Sequence, residues 1–388
     1  MATPVDAGQE LRREKIGFPP FLRYFLWLGT FGFGGPIASV GYMQRDLVEK
    51  RGWLDKQDFL NGIALGQTMP GPLAAQVAMW VGFLRRGALG ALAVAFAFIL
   101  PSFLLVLTVA YFYVKYQGLT WMQSLFYGIA PAVMAIIAIA AVKLARLTGG
   151  TDKRLWTISL VIMLITAITG AEIALLFIAA GVVMIGLGAP PAFLRRREVA
   201  PLLLPLDLPV AALGTAPPDT QLSLFLFFLK AGAFIFGSGL AIVPFLREGI
   251  VTQHHWLTSS QFLDAVAIGL ATPGPVVITA TFIGYLVGGL PGALVATIGI
   301  FLPIYLGVIL PGRWFIRHRI NPQIQAFVKG ATAAAGAIAG ATVVLTRQAV
   351  VDIKTAAIAL ISLALLWHFK VKEPLLVLAA GAAGLILH

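Results

Sequence analysis

Two Pro-Gly-Pro triplets, Pro70-Gly71-Pro72 and Pro273-Gly274-Pro275, sit inside long apolar runs. Two prolines around a glycine cannot continue an α-helix, because each proline lacks an N–H and clashes with the turn before it. Each segment must therefore become two short helices joined by a break, or a re-entrant hairpin. Non-helical backbone at membrane depth is tolerated where it is buried in protein or lines a cavity. Gln67 and Thr68 precede the first triplet and Thr272 precedes the second, so amide and hydroxyl groups flank both breaks. A further run, Gly32, Gly34, Gly35 and Pro36, interrupts the preceding apolar stretch. New helix N-termini at such breaks carry partial positive charge and free N–H groups, which suit a small anion. For an isolated glycine such as Gly32, close helix packing is the plain alternative.

Ionisable groups inside apolar segments are costly and often functional. Lys230 stands in the run 222–236 and is either a charge partner for an anion or a side chain that reaches for the interface. Arg23 lies at a similar depth in the first half and reads as an interfacial anchor. Asp264 and Asn61 occupy matching positions near the start of the two Pro-Gly-Pro segments; Asp264 either caps its helix or carries a proton. Arg45, Arg51 and Arg247 are candidates for a vestibule that steers anions. His254-His255 has no third ligand nearby and does not make a metal site. No Gly-x-x-x-x-Gly-Lys run is present to support ATP hydrolysis, and no intramembrane histidine or carboxylate pair supports catalysis.

The elements that must position these residues are apolar helices. Of 388 residues, 59% are hydrophobic and 11% charged, against about a quarter charged in soluble domains. The apolar runs are continuous rather than alternating, which selects membrane helices over a barrel. Expected spans are 21–40, 59–84, 87–114, 121–147, 155–169 and 172–190, then 222–246, 261–288, 291–312, 323–346, 353–367 and 374–388. The net charge of +12 is gathered in short clusters between spans, such as Arg85-Arg86 and Arg195-Arg196-Arg197. That pattern fits cytoplasmic anchors and a cytoplasmic N-terminus rather than nucleic-acid binding. Cysteine is absent, which removes disulfides and thiol chemistry.

The two halves are copies. At an offset of 203 residues, Gly29 meets Gly232, Phe31 meets Phe234, Trp53-Leu54 meets Trp256-Leu257, and the triplets superpose; after one deletion Pro101 meets Pro303. Matching Gly/Pro interruptions in duplicated halves point to a secondary transporter. The expected organisation is an N-terminal segment 1–20, a repeat 21–192, an Arg/Pro-rich linker 193–221 and a second repeat 222–388. Placing the basic loops of both halves on one side requires the second repeat to be inverted, and the linker is long enough to cross. The fold class is thus all-α, a polytopic helical membrane protein of two repeats with helices broken at Gly/Pro motifs.

Phe31-Gly-Phe-Gly-Gly-Pro36, followed by Gly66-Gln-Thr-Met-Pro-Gly-Pro72 and repeated after residue 230, resembles the chromate ion transporter family in its two-domain form. The resemblance covers nearly the whole chain. It implies a multi-pass inner-membrane protein that exports chromate, with sulfate as competitor and no cofactor. Motif positions carried over are Gly32, Gly34, Gly35, Pro36, Pro70, Gly71 and Pro72, with Gly237, Gly239, Pro273, Gly274 and Pro275 in the second half. There Ser238 and Gly239 replace Gly35 and Pro36, so the half-sites differ. Thr68, Gln67, Thr272 and Ser238 are the expected hydrogen-bond donors to a tetrahedral dianion, and Lys230 or Arg45 the charge. Expected partners are that dianion, the lipid bilayer and a second copy of the chain. Ion-coupled uptake of sulfate or another oxyanion is the rival function; a membrane scaffold and a lipid-modifying enzyme are the others.

Overall fold

The structure is a computed structural model that describes residues 17–33, 35–116, 119–169, 174–190, 220–235, 239, 242–312, 314, 318, 321–333, 336–369 and 371–388. Regular structure among them is helical throughout. The first repeat holds α1 (Phe18–Phe31), α2 (Gly35–Met43, running into a π-helical turn Gln44–Lys50), α3 (Lys56–Thr68), α4 (Leu73–Tyr116), α5 (Thr120–Gly149), α6 (Lys153–Thr169) and α7 (Ala174–Gly188). The second holds α8 (Thr220–Ala233), α9 (Ile242–Arg247, running into a π-helical turn Glu248–Gln253) and α10 (Ser259–Ala271). After a short 3-10 turn, Val276–Ile278, come α11 (Thr279–Ile309), α12 (Pro322–Ala333), α13 (Gly336–Ala349), α14 (Ile353–His368) and α15 (Glu373–Leu387). The linker and the first 16 residues lie outside the described residues.

The Pro-Gly-Pro segments fold back on themselves. Trp80 Nε1 donates to the Asp58 carbonyl at 2.9 Å, and the Trp80 ring lies so close to Gly62 that a Cβ there would fall 2.3 Å from Cδ1. Residues 73–85 therefore run antiparallel to α3, with the triplet at the tip. The 13 residues of α3 are about 20 Å long, too short for a hydrocarbon core of about 30 Å. Gly71 makes the tip with φ +142° and Gly274 makes its copy with φ +94°, conformations that side chains resist. α1 and α2 form another hairpin: the rings of Phe21 and Trp53 lie 6.2 Å apart, and the Arg51 guanidinium sits 5.2 Å from the Tyr24 ring. This corrects the expected spans 21–40, 59–84, 222–246 and 261–288, which are hairpins rather than crossings. A second break at Arg86-Gly87 turns the chain again, and residues 88–116 make the first full crossing. The same break recurs in α11 at Gly288-Gly289.

Call the end that carries the start of α1 the near face. Arg85 donates to the Trp53 carbonyl at 2.7 Å and Arg86 covers the Phe18 ring, so both hairpin bases sit there. α4 leaves for the far face, and α5, α6 and α7 alternate in direction after it; of these, α4 and α5 are long and apolar enough to cross a membrane. The second repeat runs the other way. Its tip at Pro273 accepts a hydrogen bond from Ser102 at mid-length of α4, while Asp264, nearer its base, meets Tyr113 close to the far end. At the end of α11, Gly312 lies against Trp80 and Phe83 of the near-face half. α13 runs parallel to α6, with Gly336 on Ser159 and Gly340 on Met163, and α15 runs antiparallel to α5, with Gly384 on Ser124 and Ala380 on Gly128. All of these pairings require the inverted repeat. Large apolar side chains such as Leu89, Phe96, Ile168, Leu360 and Leu378 stay exposed on the crossing helices, which suits a lipid-facing surface.

Candidate functional site

The two tips meet at the interface between repeats, and each docks on the other repeat's long helix. The Gly71 N–H donates to the Ile235 carbonyl at 2.5 Å, and Ser102 Oγ donates to the Pro273 carbonyl at 2.5 Å. A Cβ at Gly71 would lie 3.0 Å from Ile304, and one at Gly274 would lie 2.4 Å from Ser102 Oγ. Ser102 and Ile304 are repeat mates, each directly after a helix proline, Pro101 or Pro303. Gly239 completes the junction, with Pro72 on one side and Val276 on the other. Gln76, fully buried, donates through Nε2 to the Met69 and Pro70 carbonyls and so holds the first tip closed; its Oε1 has no partner among the described residues. Thr279, the mate of Gln76, bonds the Val276 carbonyl at 2.8 Å.

The junction thus gathers Pro70, Gly71, Pro72, Gly239, Pro273 and Gly274. Thr68 and Thr272 flank it, but each hydroxyl donates to a carbonyl of its own helix, Ala64 at 2.7 Å and Gly269 at 3.1 Å. Gln67 is exposed, and Gly32 caps α1 by donating its N–H to Leu28. Pro275 lies buried at the start of the return arm. Gly34, Gly237 and Ser238 fall outside the described residues, as do the side-chain surroundings of Gly35 and Pro36 at the start of α2.

A second feature lies at the near face. Between α1 and the π-helical turn opens a cavity of about 590 Å³, lined by Arg23, Tyr24, Trp27, Arg45, Asp46, Lys50, Arg51 and Trp53, with Pro20 at its rim. Four cations face one carboxylate. Asp46 is taken by Arg45 at 2.9 Å and by Lys50 at 4.0 Å. The Arg51 guanidinium lies 4.5 Å from the Trp53 ring. Tyr24 is 4% exposed, and its buried hydroxyl has no partner among the described residues. A π-helical turn widens the local helix and is frequent at functional sites; here it supplies Arg45, Asp46 and Lys50.

The corresponding place on the far face is built differently. By the same offset, Arg23, Arg45, Lys50 and Arg51 become Leu226, Glu248, Gln253 and His254. Phe227 packs against Phe245 (5.6 Å), Trp256 (5.7 Å) and His254 (5.9 Å), and fills the space over Gly249. His254 stacks on Trp256 at 4.2 Å. Burial, helped by Lys230 nearby, holds its imidazole below the usual histidine range. Lys230 itself is exposed, with Nζ 5.9 Å from the Phe245 centroid.

Several expectations change. Arg23 is not only an anchor; it lines the near-face cavity. Arg247 does not join Arg45 and Arg51, because inversion carries it to the far face, where its Nε is buried without a partner among the described residues. Asp264 does not cap α10; Thr258 does, in a capping box with Gln261. Asp264 lies about one and a half turns inside the helix and accepts a hydrogen bond from Tyr113 at 2.7 Å. Its mate Asn61 accepts from Gln57 at 3.1 Å. Ser102, Gln76, Tyr24 and Tyr113 were not singled out from the sequence. Ser102 was within reach, since it follows a proline that matches across the repeats; a lone tyrosine in an aromatic-rich helix gives no such signal.

Comparison with known proteins agrees with this architecture. The family model described as chromate transporter matches residues 20–187 and again 222–385, one match per repeat. A chromate transport protein of Cupriavidus metallidurans is 52% identical over 94% of this chain and 92% of its own length. A probable chromate transport protein of Synechococcus elongatus is 49% identical over 94% of both. An uncharacterized transporter of Bacillus subtilis, YwrA, is 33% identical over 42% of this chain and 93% of its own length, so its whole length matches less than half of this chain. No solved structure matches the chain.

Proposed function

The chain belongs to the chromate transporter family, and from that premise we propose that it exports chromate, or an oxyanion dianion of the same shape, through the junction of the two tips. The family is one of transporters, not enzymes, and the protein is a multi-pass membrane protein. The observation that carries the direction is the difference between the two mouths. The near mouth is an open cavity with Arg23, Arg45, Lys50 and Arg51. The far mouth has an acid, an amide and a neutral imidazole at three of the corresponding positions, and is filled by aromatic rings.

Clefts lined by one sign of charge concentrate the opposite ion, so capture is favoured at the near face and release at the far face. Described basic residues also gather at the near face, with Arg85, Arg86, Lys143, Arg146, Lys153, Arg154 and Lys372 beside the four cations of the cavity, against Lys115, Lys230, Arg247, Arg347 and Lys354 at the far face. The positive-inside rule then makes the near face cytoplasmic. A dianion leaving a negative interior gains roughly 4.6 kcal/mol at 100 mV, so efflux needs no coupling ion.

In this conformation the Gly71 amide is held by Ile235 and the second tip by Ser102. Rocking one repeat against the other would release these bonds and expose tip amides to the dianion. The test is chromate flux into proteoliposomes at a clamped potential, with and without excess sulfate. Flux that follows the potential and falls with sulfate is expected. Flux that requires a pH gradient would favour ion-coupled uptake instead, and no flux from folded protein would withdraw chromate as cargo.

A further inference from the structure

Asp264 is 5% exposed and lies in α10, on the arm of the second tip that faces the first repeat. Tyr113 Oη of α4 donates to its Oδ2 at 2.7 Å. The Tyr113 ring is clasped edge-on by Phe126 and Phe282, with centroids 5.3 and 5.2 Å away. The buried carboxyl thus has one polar partner among the described residues, and that partner sits in an apolar, aromatic box. An ionised carboxylate taken out of water with neither a cation nor several donors is expensive.

The charged groups on the surrounding elements are engaged elsewhere or distant. Lys115, two residues beyond Tyr113, lies over the rings of Tyr111 and Tyr116 at 6.0 and 5.4 Å. His254 is stacked on Trp256. Lys143, Arg146 and Glu373 belong to the near-face ends of α5 and α15, where Arg146 covers Trp367. Arg247 and Glu248 before α10, Lys329 and Arg347 on α12 and α13, and the tyrosines Tyr127, Tyr285 and Tyr305 do not act on Asp264; Tyr113 is its one polar partner among the described residues. A metal cation would need several converging oxygens, and no cluster of metal-ligating side chains forms among the described residues.

We propose that Asp264 and Tyr113 form a proton-binding site between the repeats, holding a proton in the docked conformation and losing it when the second tip moves. The pair spans the same interface as the Ser102–Pro273 bond, one element from each repeat. Any motion that frees the tip from α4 also pulls Asp264 from its buried place toward water, where the carboxylate is favoured. The site is one-sided. The mate of Asp264 is Asn61, a neutral amide of nearly the same shape. Proton binding is thereby tied to the far-face half alone. The coupling part of this inference rests on the transport reading above; the proton site itself does not.

The first test needs no cargo. Infrared difference spectra of the purified protein across pH should show a protonated carboxyl band that Asp264→Asn removes and Tyr113→Phe shifts. A band that survives Asp264→Asn overturns the site. The second test is the ratio of wild-type to Asp264→Asn flux across pH, which cancels protonation of the cargo. The ratio should fall in acid with a slope of about one proton, and the ratio of His254→Gln to Asp264→Asn flux should follow the same profile. The same pH response in Asp264→Asn as in the wild type overturns the coupling. Asn61 shows that the fold accommodates an amide at this position; should Asp264→Asn still fail to fold, an unchanged infrared and flux midpoint in Tyr113→Phe overturns the proposal equally. Loss of chromate flux in every protein would strike the cargo assignment and leave the infrared result standing.

Discussion

At the near face Arg51 lies over Trp53; at the far face its mate His254 lies over Trp256. The tryptophans keep the same place in both repeats, and the group stacked on them changes from a permanent cation to a neutral imidazole. A related change stands six residues earlier, where Arg45 over Tyr42 is replaced by Glu248, with Phe245 at the Tyr42 position. The backbone devices, by contrast, are kept: both hairpins, both π-helical turns and both positive-φ tip glycines. The two repeats share the backbone devices of an inverted pair and differ in the groups that line the place beside the conserved tryptophan on each face. An alternating-access device built from two identical mouths would bind equally well on both sides. Here the mouths differ in charge and in openness.

The largest effect is expected where the repeats agree. Gly71→Val and Gly274→Val each put a β-branched side chain at positive φ, a strain of about 1–3 kcal/mol. Each also drives a Cβ into the opposite repeat, at Ile304 or Ser102. Flux should fall at least about 100-fold, equivalent to about 2.7 kcal/mol, in both variants alike, measured on protein checked for folding by its elution from a sizing column. Normal flux in the double variant would remove the tips from the mechanism.

Substitution where the repeats differ should act on one side only. Arg51→Gln removes a charge that would bind the dianion, worth about 1.5–3 kcal/mol in a charge-assisted hydrogen bond. The half-saturating chromate concentration at the near face should rise about ten- to hundredfold, while Glu248→Gln leaves it unchanged. The converse graft sharpens the comparison: Glu248→Arg with His254→Arg should lower the half-saturating concentration for uptake from the far face by a similar factor. An equal effect of Arg51→Gln on both sides would mean that the cavity is not a one-sided mouth.

Much of this contrast was legible in the sequence, for physical reasons. Pro-Gly-Pro must break a helix whatever surrounds it, so the tips and the duplication could be read directly. The basic clusters gave the inversion, because charge near a membrane is sorted by side. What composition cannot give is whether a broken segment passes through or turns back, since both leave the same apolar run; that depended on Gly62 meeting Trp80 and Gly82 meeting Gly90. Nor could the vestibule be grouped correctly. Arg247 looks equivalent to Arg45 and Arg51 until inversion sends it to the other face. Asp264 likewise looks like a cap because it stands near a helix start, and only the neighbouring repeat reveals Tyr113.

The smallest effect tests the near mouth most finely. Tyr24 is buried against Arg51, and its hydroxyl has no partner among the described residues. Its mate is Phe227, so the fold already accepts a phenyl ring at this place in the other repeat. A buried unpaired hydroxyl costs about 1–3 kcal/mol, and removing it should stabilise the protein. If the hydroxyl is kept to meet an oxyanion entering the cavity, Tyr24→Phe should raise the melting temperature slightly and weaken near-face chromate affinity about three- to tenfold. The two readouts move in opposite directions only if the hydroxyl serves a ligand. Stability raised with affinity unchanged would instead leave Arg45 and Arg51 as the groups that hold the anion, and the near and far mouths would then differ by charge alone.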